Sequence, residues 1–233
     1  MGQDDKISSR ISRRGFCFGT AAFGLSAAGC TTVGTSDGIG LPPYYVLRSN
    51  YSALREEPHP VPAINIGGVN HKFLRQTVLL DTKERPGTII VDPYSRFLYL
   101  VEENGKAIRY GIGVGRDGFR WAGQAYVGWK RAWPTWTPPP AMVAREPQLV
   151  EISKKGMEPG LNNPLGARAI YIYRDGRDTM YRLHGTNEPR SIGKAVSSGC
   201  IRLFNQDIID LFERVKPGAR IVVLTESQSS RIA

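Results

Sequence analysis

His184 and Cys200 are the two residues of this chain whose types and spacing suit covalent chemistry, and His184 precedes Cys200 by sixteen positions. A thiol with a pKa of about 8.5 is mostly protonated at neutral pH, whereas a neighbouring imidazole can take its proton and hold the resulting ion pair. The pair therefore predicts a thiolate nucleophile with a histidine base. A buried structural cysteine and an unrelated histidine would give the same residue counts, so the counts alone leave both interpretations open.

Small residues stand directly before the cysteine. Ser198 and Gly199 would let the backbone approach a substrate carbonyl closely and direct N–H groups at the oxygen that becomes negative during attack. We therefore predict an oxyanion hole formed by the backbone around Ser198, Gly199 and Cys200. The other two histidines, His59 and His71, have no cysteine or carboxylate at metal-ligand spacing, so the sequence predicts no metal site and calls for no cofactor.

The composition is that of a globular chain with a strong positive charge. The 233 residues are 41% hydrophobic and 22% charged, which predicts one main domain and excludes a fibrous or disordered chain. The net charge of +10 favours an acidic partner such as nucleic acid, anionic lipid or an acidic polymer. Cys17, Cys30 and Cys200 lie in three different contexts, which argues against a disulfide framework.

Residues 1–29 have the layout of an export signal. Arg13 and Arg14 stand before a mild apolar stretch without charge, which resembles a twin-arginine signal, and an ordinary secretory signal with two basic residues is the alternative. The next residue, Cys30, is a candidate for lipidation. Ala27, however, stands where lipoprotein signals usually carry leucine, and plain cleavage after Ala28 fits the small-residue rule as well.

Export changes which acidic partner the charge predicts. An exported bacterial protein rarely meets nucleic acid, so the partner becomes the cell wall with its stem-peptide carboxylates, or an anionic membrane surface. We expect a periplasmic protein whose membrane attachment would come only from a lipid on Cys30.

Four segments follow from the patterns along the chain. They are the export signal at residues 1–29, a Gly/Pro-rich tether and pre-domain segment at 30–84, the main domain at 85–226 and a C-terminal tail at 227–233. Short runs rich in β-branched and aromatic residues, bounded by turn formers, make the main domain mainly β.

Two further features stand out within the main domain. One stretch is clearly helical, because apolar residues recur at i, i+3, i+4 and i+7 from Ile208 to Val215, after Asn205 as the predicted N-cap. Residues 128–166 form a long loop rich in Trp and Pro. The tryptophans of this loop either grip an extended ligand or cover one end of the β core.

Several runs together resemble a known family. In chain order they are WPTWTPP (133–139), NPLG (163–166), HGTN (184–187) and SSGCIRL (197–203), with Asn205 shortly after. This pattern looks like the YkuD-type L,D-transpeptidases, the bacterial cell-wall cross-linking enzymes, and the similarity covers roughly residues 85–226. The resemblance implies a mainly β, YkuD-type β-sandwich with one clear helix after the catalytic cysteine and a long Trp/Pro-rich loop.

The resemblance also implies a two-step acyl transfer. Cys200 would attack the carbonyl between the third residue of a peptidoglycan stem peptide and its terminal D-Ala, and an amine would resolve the thioester, with His184 as the base. The other implied site residues are Gly185, whose carbonyl orients the imidazole, Ser198 and Gly199 at the oxyanion hole, and the substrate contacts Arg202, Ser197, Asn205, Trp133 and Trp136.

One departure and several alternatives remain. Many members of the family carry histidine where this chain has Ser198, yet His184 matches the upstream histidine that is usually assigned as the base, so we expect activity to survive. The sequence leaves the acyl acceptor open among a stem amine, water and an amine of an envelope protein. A non-catalytic wall-binding lipoprotein is a further alternative, and the intact pair of His184 and Cys200 argues against it.

Overall fold

The computed structural model describes residues 48–115, 122–197 and 200–232, so the predicted export signal and Cys30 lie outside the described residues. The strands are β1 (Gln76–Leu79), β2 (Ile89–Asp92), β3 (Phe97–Val101), β4 (Lys106–Gly111), β5 (Val114–Gly115), β6 (Gly123–Ala132), β7 (Arg168–Arg174), β8 (Arg177–His184), β9 (Ala195–Ser197), β10 (Ile201–Arg202) and β11 (Arg220–Val223). The α-helices are α1 (Pro140–Arg145), α2 (Val150–Lys155), α3 (Asn205–Arg214) and α4 (Glu226–Ile232). Short 3-10 helices lie at Arg48–Tyr51, Ile66–Gly68, His71–Phe73, Pro147–Leu149 and Pro189–Ser191.

Nine of these strands form one sheet in the order β1-β4-β3-β2-β11-β6-β7-β8-β10, and β5 pairs with β9 separately. Neighbours in the sheet are antiparallel except at two places, where β11 runs parallel to β2 and β10 runs parallel to β8. The short strand β10 therefore lies at one edge of the sheet, beside the end of β8.

The two halves of this sheet share one hydrophobic core. Leu98 and Tyr110 come from the half that contains β3 and β4, Ile170 and Leu183 come from the half that contains β7 and β8, and all four pack in the same cluster with α3. Two sheet halves with a common core between them make a sandwich. The predicted mainly β class and β-sandwich are confirmed.

A second cluster lies on the opposite face of β2 and β3, which are buried on both faces. Ile90 and Tyr99 belong to this cluster, and Ile232 of α4 packs against it. Ser229 of α4 also donates a hydrogen bond to a carboxylate oxygen of the buried Asp92, at 2.9 Å. The predicted C-terminal tail is thus mostly a helix that covers the sheet.

The helix predicted after the cysteine is α3, and its apolar residues Ile208 and Leu211 are fully buried in the core as the periodicity indicates. The predicted N-cap is wrong. The cap position is occupied by Phe204, and Asn205 is the first helical residue. The reason is that the Asn205 side chain bonds to groups far away in the sequence rather than to the start of its own helix.

The segment before the main domain differs from the predicted tether wherever it is described. Tyr51 is buried, its ring packs edge-on against Phe204, and its hydroxyl donates to Asp207 at 3.1 Å. Leu54 and Val61 form a two-way backbone bridge at 2.9 Å. Because these contacts are buried and specific, residues 48–62 are part of the folded domain.

The predicted Trp/Pro-rich loop is partly regular structure. Its first residues, as far as Ala132, complete strand β6, and α1 and α2 lie further along. These helices are only six residues long each and have no buried residues, which explains why the sequence shows no helical period there.

Candidate active site

His184 is the last residue of β8 and lies between two neighbouring strands. Its register partners are Ala169 on β7 and Arg202 on β10, and its carbonyl accepts a hydrogen bond from the N–H of Leu203 at 2.8 Å. The residue is only 4% exposed. Pairing on both sides and burial together hold the imidazole in one place.

A backbone carbonyl fixes which nitrogen of the His184 ring carries the proton, and burial keeps the ring neutral. Nδ1 lies 2.5 Å from the carbonyl oxygen of Gly185, and because a carbonyl only accepts, Nδ1 carries the proton of the neutral ring. Burial lowers the pKa of His184 to about 4, although hydrogen bonds to the carbonyls of Gly185 and Pro164 act in the opposite direction. The positive charges of Arg202 and Arg182 lower this pKa further. The imidazole is therefore neutral at pH 7, in the form that can accept a proton.

Cys200 immediately precedes β10, whose first residue, Ile201, is paired with Leu183 of β8. Burial raises the pKa of the Cys200 thiol, against a backbone hydrogen bond from Arg182 and the positive charges of Arg182 and Arg202. Burial therefore favours a protonated thiol and a neutral imidazole at rest. The ion pair predicted from the sequence stays a prediction, because residue types and spacing do not show how deeply the two groups are buried.

Asn205 connects the two chain segments that shape the site. Its Oδ1 accepts from the N–H of Ala167 at 3.0 Å, and its Nδ2 donates to the carbonyl of Thr186 at 3.2 Å. It is 8% exposed. A Cβ on Gly185 or on Gly166 would overlap the Asn205 Oδ1, so both glycines are needed for this close approach. The side chain is thus used inside the protein, and the predicted contact between Asn205 and substrate stays a prediction.

Arg202 lies at the same sheet edge but is already paired. Its guanidinium donates to the carboxylate of Glu188, and its backbone exchanges two hydrogen bonds with Gly113. Glu188 is placed by Thr186, whose hydroxyl accepts from the N–H of Glu188 at 2.9 Å. A stem carboxylate would have to share or displace Glu188, and the predicted contact between Arg202 and substrate stays a prediction.

The two tryptophans differ in their surroundings. Trp133 is 7% exposed, packs on Val61 and Ala167, and donates through Nε1 to Glu57 at 2.8 Å. These contacts agree with the alternative that Trp133 covers one end of the core, and its contact with substrate stays a prediction. Trp136 is half-buried and exchanges two backbone hydrogen bonds with Met157, and its contact with substrate stays a prediction.

The backbone before the cysteine is described only in part. Ser197 is the last residue of β9 and is in register with Gly115 of β5. Ser198 and Gly199 lie outside the described residues, so the predicted oxyanion hole stays a prediction.

Sequence reasoning missed Arg182. It lies two residues before His184, and alternation along β8 places both on the same face of the strand. The spacing was visible in the sequence, but the proximity of Arg182 to Cys200 depends on the pairing of β8 with β10. Within the described ranges, no group of three or more His, Cys, Asp or Glu side chains could hold a metal ion. Nor does any helix in that part of the chain have the length and apolar character to cross a membrane.

Comparison with known proteins assigns the domain to one family. The family model "YkuD: L,D-transpeptidase catalytic domain" matches residues 86–223, which is more than half of the chain and includes both His184 and Cys200. The chain belongs to this family. The resemblance stated from the sequence is thereby confirmed, and its span agrees closely with the predicted similarity over residues 85–226.

Curated L,D-transpeptidases match over a similar region. "Probable L,D-transpeptidase YbiS" of Escherichia coli is 35% identical over 164 residues, which are 69% of this chain and 51% of that protein. "Probable L,D-transpeptidase YcfS" of the same organism is 38% identical over 153 residues, 64% of this chain and 47% of that protein. This chain thus spans about half the length of the curated relatives it matches.

Solved structures give weaker likenesses. A crystal structure from Brucella melitensis, named as a probable carnitine operon oxidoreductase, is 45% identical, covers 69% of this chain and 99% of its own, and has a TM-score of 0.47. An L,D-transpeptidase from Mycobacterium smegmatis is 16% identical, covers 59% of this chain and 58% of its own, and has a TM-score of 0.42. The assignment to the YkuD family rests on the sequence match.

Proposed function

We propose that this member of the YkuD family is a peptidoglycan L,D-transpeptidase, a cysteine acyltransferase that acts on stem peptides. The observation that supports this most is the placement of Cys200 next to the end of β8, where a buried His184 is fixed by the carbonyl of Gly185. A nucleophile, a neutral base and an orienting group are the parts that thiol acyl transfer needs.

In the first step the Cys200 sulfur attacks the carbonyl carbon between the third residue of the donor stem and its terminal D-Ala. The neutral imidazole of His184 takes the thiol proton as the carbon–sulfur bond forms. The carbon–nitrogen bond then breaks, the imidazolium returns the proton to the departing amine of D-Ala, and the acyl group remains as a thioester on Cys200. The backbone N–H groups around Gly199 and Cys200 are the proposed donors to the oxyanion.

The resting charge state fits this order of events. Burial raises the pKa of the thiol and lowers that of His184, which agrees with proton transfer during the attack on the substrate carbonyl rather than before it. A resting thiol is a weaker nucleophile than a thiolate, which limits side reactions with other electrophiles.

In the second step an amine attacks the thioester. His184 removes a proton from that amine, the new amide forms, and the Cys200 sulfur leaves and recovers its proton. We propose an amine of a second stem as the acceptor. Water as acceptor would make the protein an L,D-carboxypeptidase, and an amine of an envelope protein would make it an enzyme that anchors proteins to the wall.

The place of action is part of the same proposal. The net charge of +10 suits a wall polymer that carries carboxylates, and residues 1–29 would export the protein to the periplasm through a twin-arginine-like signal. Cys30 is the candidate site for a lipid that would hold the protein at a membrane.

Intact-protein mass spectrometry tests the proposal directly. The full chain is incubated with a disaccharide-tetrapeptide donor, and the expected result is an adduct equal in mass to the donor without its D-Ala. Cys200→Ala should form no adduct, because this substitution removes the proposed covalent centre. A variant that forms the adduct at the parental rate contradicts the assignment of Cys200.

The same reaction mixtures identify the acceptor. Cross-linked dimers indicate transfer to a stem amine, trimmed tripeptides indicate transfer to water, and stems linked to added envelope protein indicate anchoring. Circular dichroism of Cys200→Ala serves as the control for folding, since alanine is smaller than cysteine and should be accommodated. Tripeptides as the main product in the presence of excess acceptor stem would contradict the transpeptidase proposal.

A further inference from the structure

A row of three side chains crosses neighbouring strands beside the candidate active site. Trp129 on β6 is in register with Tyr171 on β7, which is in turn in register with Arg182 on β8. The two aromatic rings stack 3.6 Å apart at an angle of 11°, and the guanidinium of Arg182 lies over the Tyr171 ring, 4.3 Å from its centroid. Stacking and a cation–π contact together fix the guanidinium from one side.

The polar contacts of Arg182 fix it further. Its two terminal nitrogens donate to the two carboxylate oxygens of Asp178 at 2.6 and 2.8 Å, and one of them also donates to the carbonyl of Tyr181 at 2.9 Å. The side chain is 12% exposed. A guanidinium held in this way by a bidentate carboxylate has little freedom to turn toward a substrate. Its charge, by contrast, is permanent and stays in one place.

This fixed charge belongs to the residue that neighbours Cys200 on the adjacent strand. Cys200 comes directly before Ile201, which pairs with Leu183, so the neighbour of Cys200 across the parallel ladder is Arg182. A backbone hydrogen bond from Arg182 reaches Cys200, and the charge of Arg182 acts on it as well.

Other charged or titratable groups also lie near this edge of the sheet. Arg202 of β10 is the second cation, and it is paired with Glu188. Asp178 of β8 is the counter-charge of Arg182. His184 is neutral at rest, so it offers no positive charge to a sulfur anion until it has taken the proton.

We propose that Arg182 is a positioning residue for Cys200: its backbone directs the sulfur, and its guanidinium, held by Tyr171 and Asp178, stabilises the sulfur as an anion. The inference rests on the proposed role of Cys200 as nucleophile. In addition to that role, Arg182 supplies the positive charge, and the stacked rings of Trp129 and Tyr171 hold its guanidinium in place. The backbone contribution survives any substitution of the side chain, so variants at Arg182 test the charge alone.

The test is the pH dependence of Cys200 alkylation by iodoacetamide in the full chain. Mass spectrometry of the peptide that contains Cys200 separates its reaction from that of Cys17 and Cys30. Arg182→Gln should move the midpoint upward by about one pH unit, which is about a tenfold smaller thiolate fraction at pH 7. Arg182→Lys keeps the charge and should stay within about half a unit of the parent, which a role in packing alone would not produce.

Arg177→Gln is the matched control, since Arg177 lies exposed at the start of the same strand and the substitution removes the same charge. It should leave the midpoint unchanged. Should Arg182→Gln fail to fold, Asp178→Asn replaces it: this variant keeps the guanidinium on Tyr171 but removes the opposing charge, so the midpoint should fall. An unchanged midpoint in Arg182→Gln, or an equal shift in Arg177→Gln, overturns the inference. Alkylation needs no substrate. A parent protein that forms no thioester would therefore contradict the proposed function, while the alkylation midpoints would still test the effect of the Arg182 charge on Cys200.

Discussion

Replacement of Asn205 by alanine distinguishes a residue that builds the site from one that binds substrate. The amide of Asn205 makes two buried hydrogen bonds, one from the N–H of Ala167 at 3.0 Å and one to the carbonyl of Thr186 at 3.2 Å. Asn205→Ala would leave both backbone groups buried without these partners. Each such loss costs about 1 to 3 kcal/mol, so we expect the free energy of unfolding to fall by about 2 to 6 kcal/mol.

Loss of the Asn205 amide should also slow thioester formation. Asn205 spans the backbone next to Gly185, and the carbonyl of Gly185 orients the imidazole of His184. Without this connection the imidazole loses part of its fixed orientation, and a misplaced base costs rate rather than affinity. We therefore expect thioester formation at saturating donor to slow by about tenfold or more, with little change in KM.

Two measurements check these numbers. Urea unfolding gives the stability change, and intact-protein mass gives the rate of thioester formation at several donor concentrations. Asn187→Ala is the matched control, because the exposed Asn187 amide also donates to a backbone carbonyl, that of Asn162 at 3.1 Å. An exposed hydrogen bond is readily replaced by water, so the control should lose less than about 1 kcal/mol.

One result would refute the structural role of Asn205. If Asn205→Ala is as stable as Asn187→Ala and shows a raised KM with an unchanged maximal rate, then Asn205 binds substrate, as the family resemblance implied.

Two further predictions concern buried positions. Burial raises the pKa of Asp207 to about 7. The folded protein therefore keeps a proton on this carboxyl that the unfolded chain releases above about pH 4. The free energy of unfolding should consequently fall as pH rises from about 4 to 7. Asp207→Asn should reduce this pH dependence in urea unfolding at pH 5, 6 and 7. If the free energy of unfolding of the variant falls as steeply with pH as that of the parent, another group causes the pH dependence. Gly185→Ala places a methyl group where the Asn205 amide oxygen and the N–H of Ala167 already lie, so it should lower both stability and thioester formation. Gly176→Ala is the control. A Cβ there meets open space, but the φ of 75° is strained for a residue with a side chain. This variant should lower the free energy of unfolding by only about 1 kcal/mol and leave the rate of thioester formation unchanged.

Local sequence determined much of this protein. Strands such as β2, β3 and β7 were predictable because β-branched runs between turn formers carry their preference within a few residues. Helix α3 was predictable because apolar residues repeat along one face from Ile208 to Val215. The family was predictable because its signature lies in short continuous runs around His184 and Cys200. Each of these signals is complete within a short stretch of chain, so no knowledge of tertiary contacts was needed.

The tertiary structure decided how the candidate site is held and charged. Asn205 was expected to contact substrate, yet its amide bridges Ala167 and Thr186, which are distant in sequence. The sequence left open whether Trp133 contacts a ligand or covers the core, and in the structure its indole is buried against Val61 and bonded to Glu57. Residue type fixes which hydrogen bonds a side chain can make, but only the packed chain shows which partners reach it.

The protonation of the pair also came from the fold alone. The sequence supplies only the ordinary pKa values of a thiol and an imidazole, and the ion pair was predicted from the expected closeness of the two groups. In the structure, burial raises the pKa of Cys200 and lowers that of His184, while Arg182 reaches the sulfur only through the pairing of β8 with β10. Desolvation and the distance to other charges set a pKa, and both are properties of contacts between segments that the sequence does not place together.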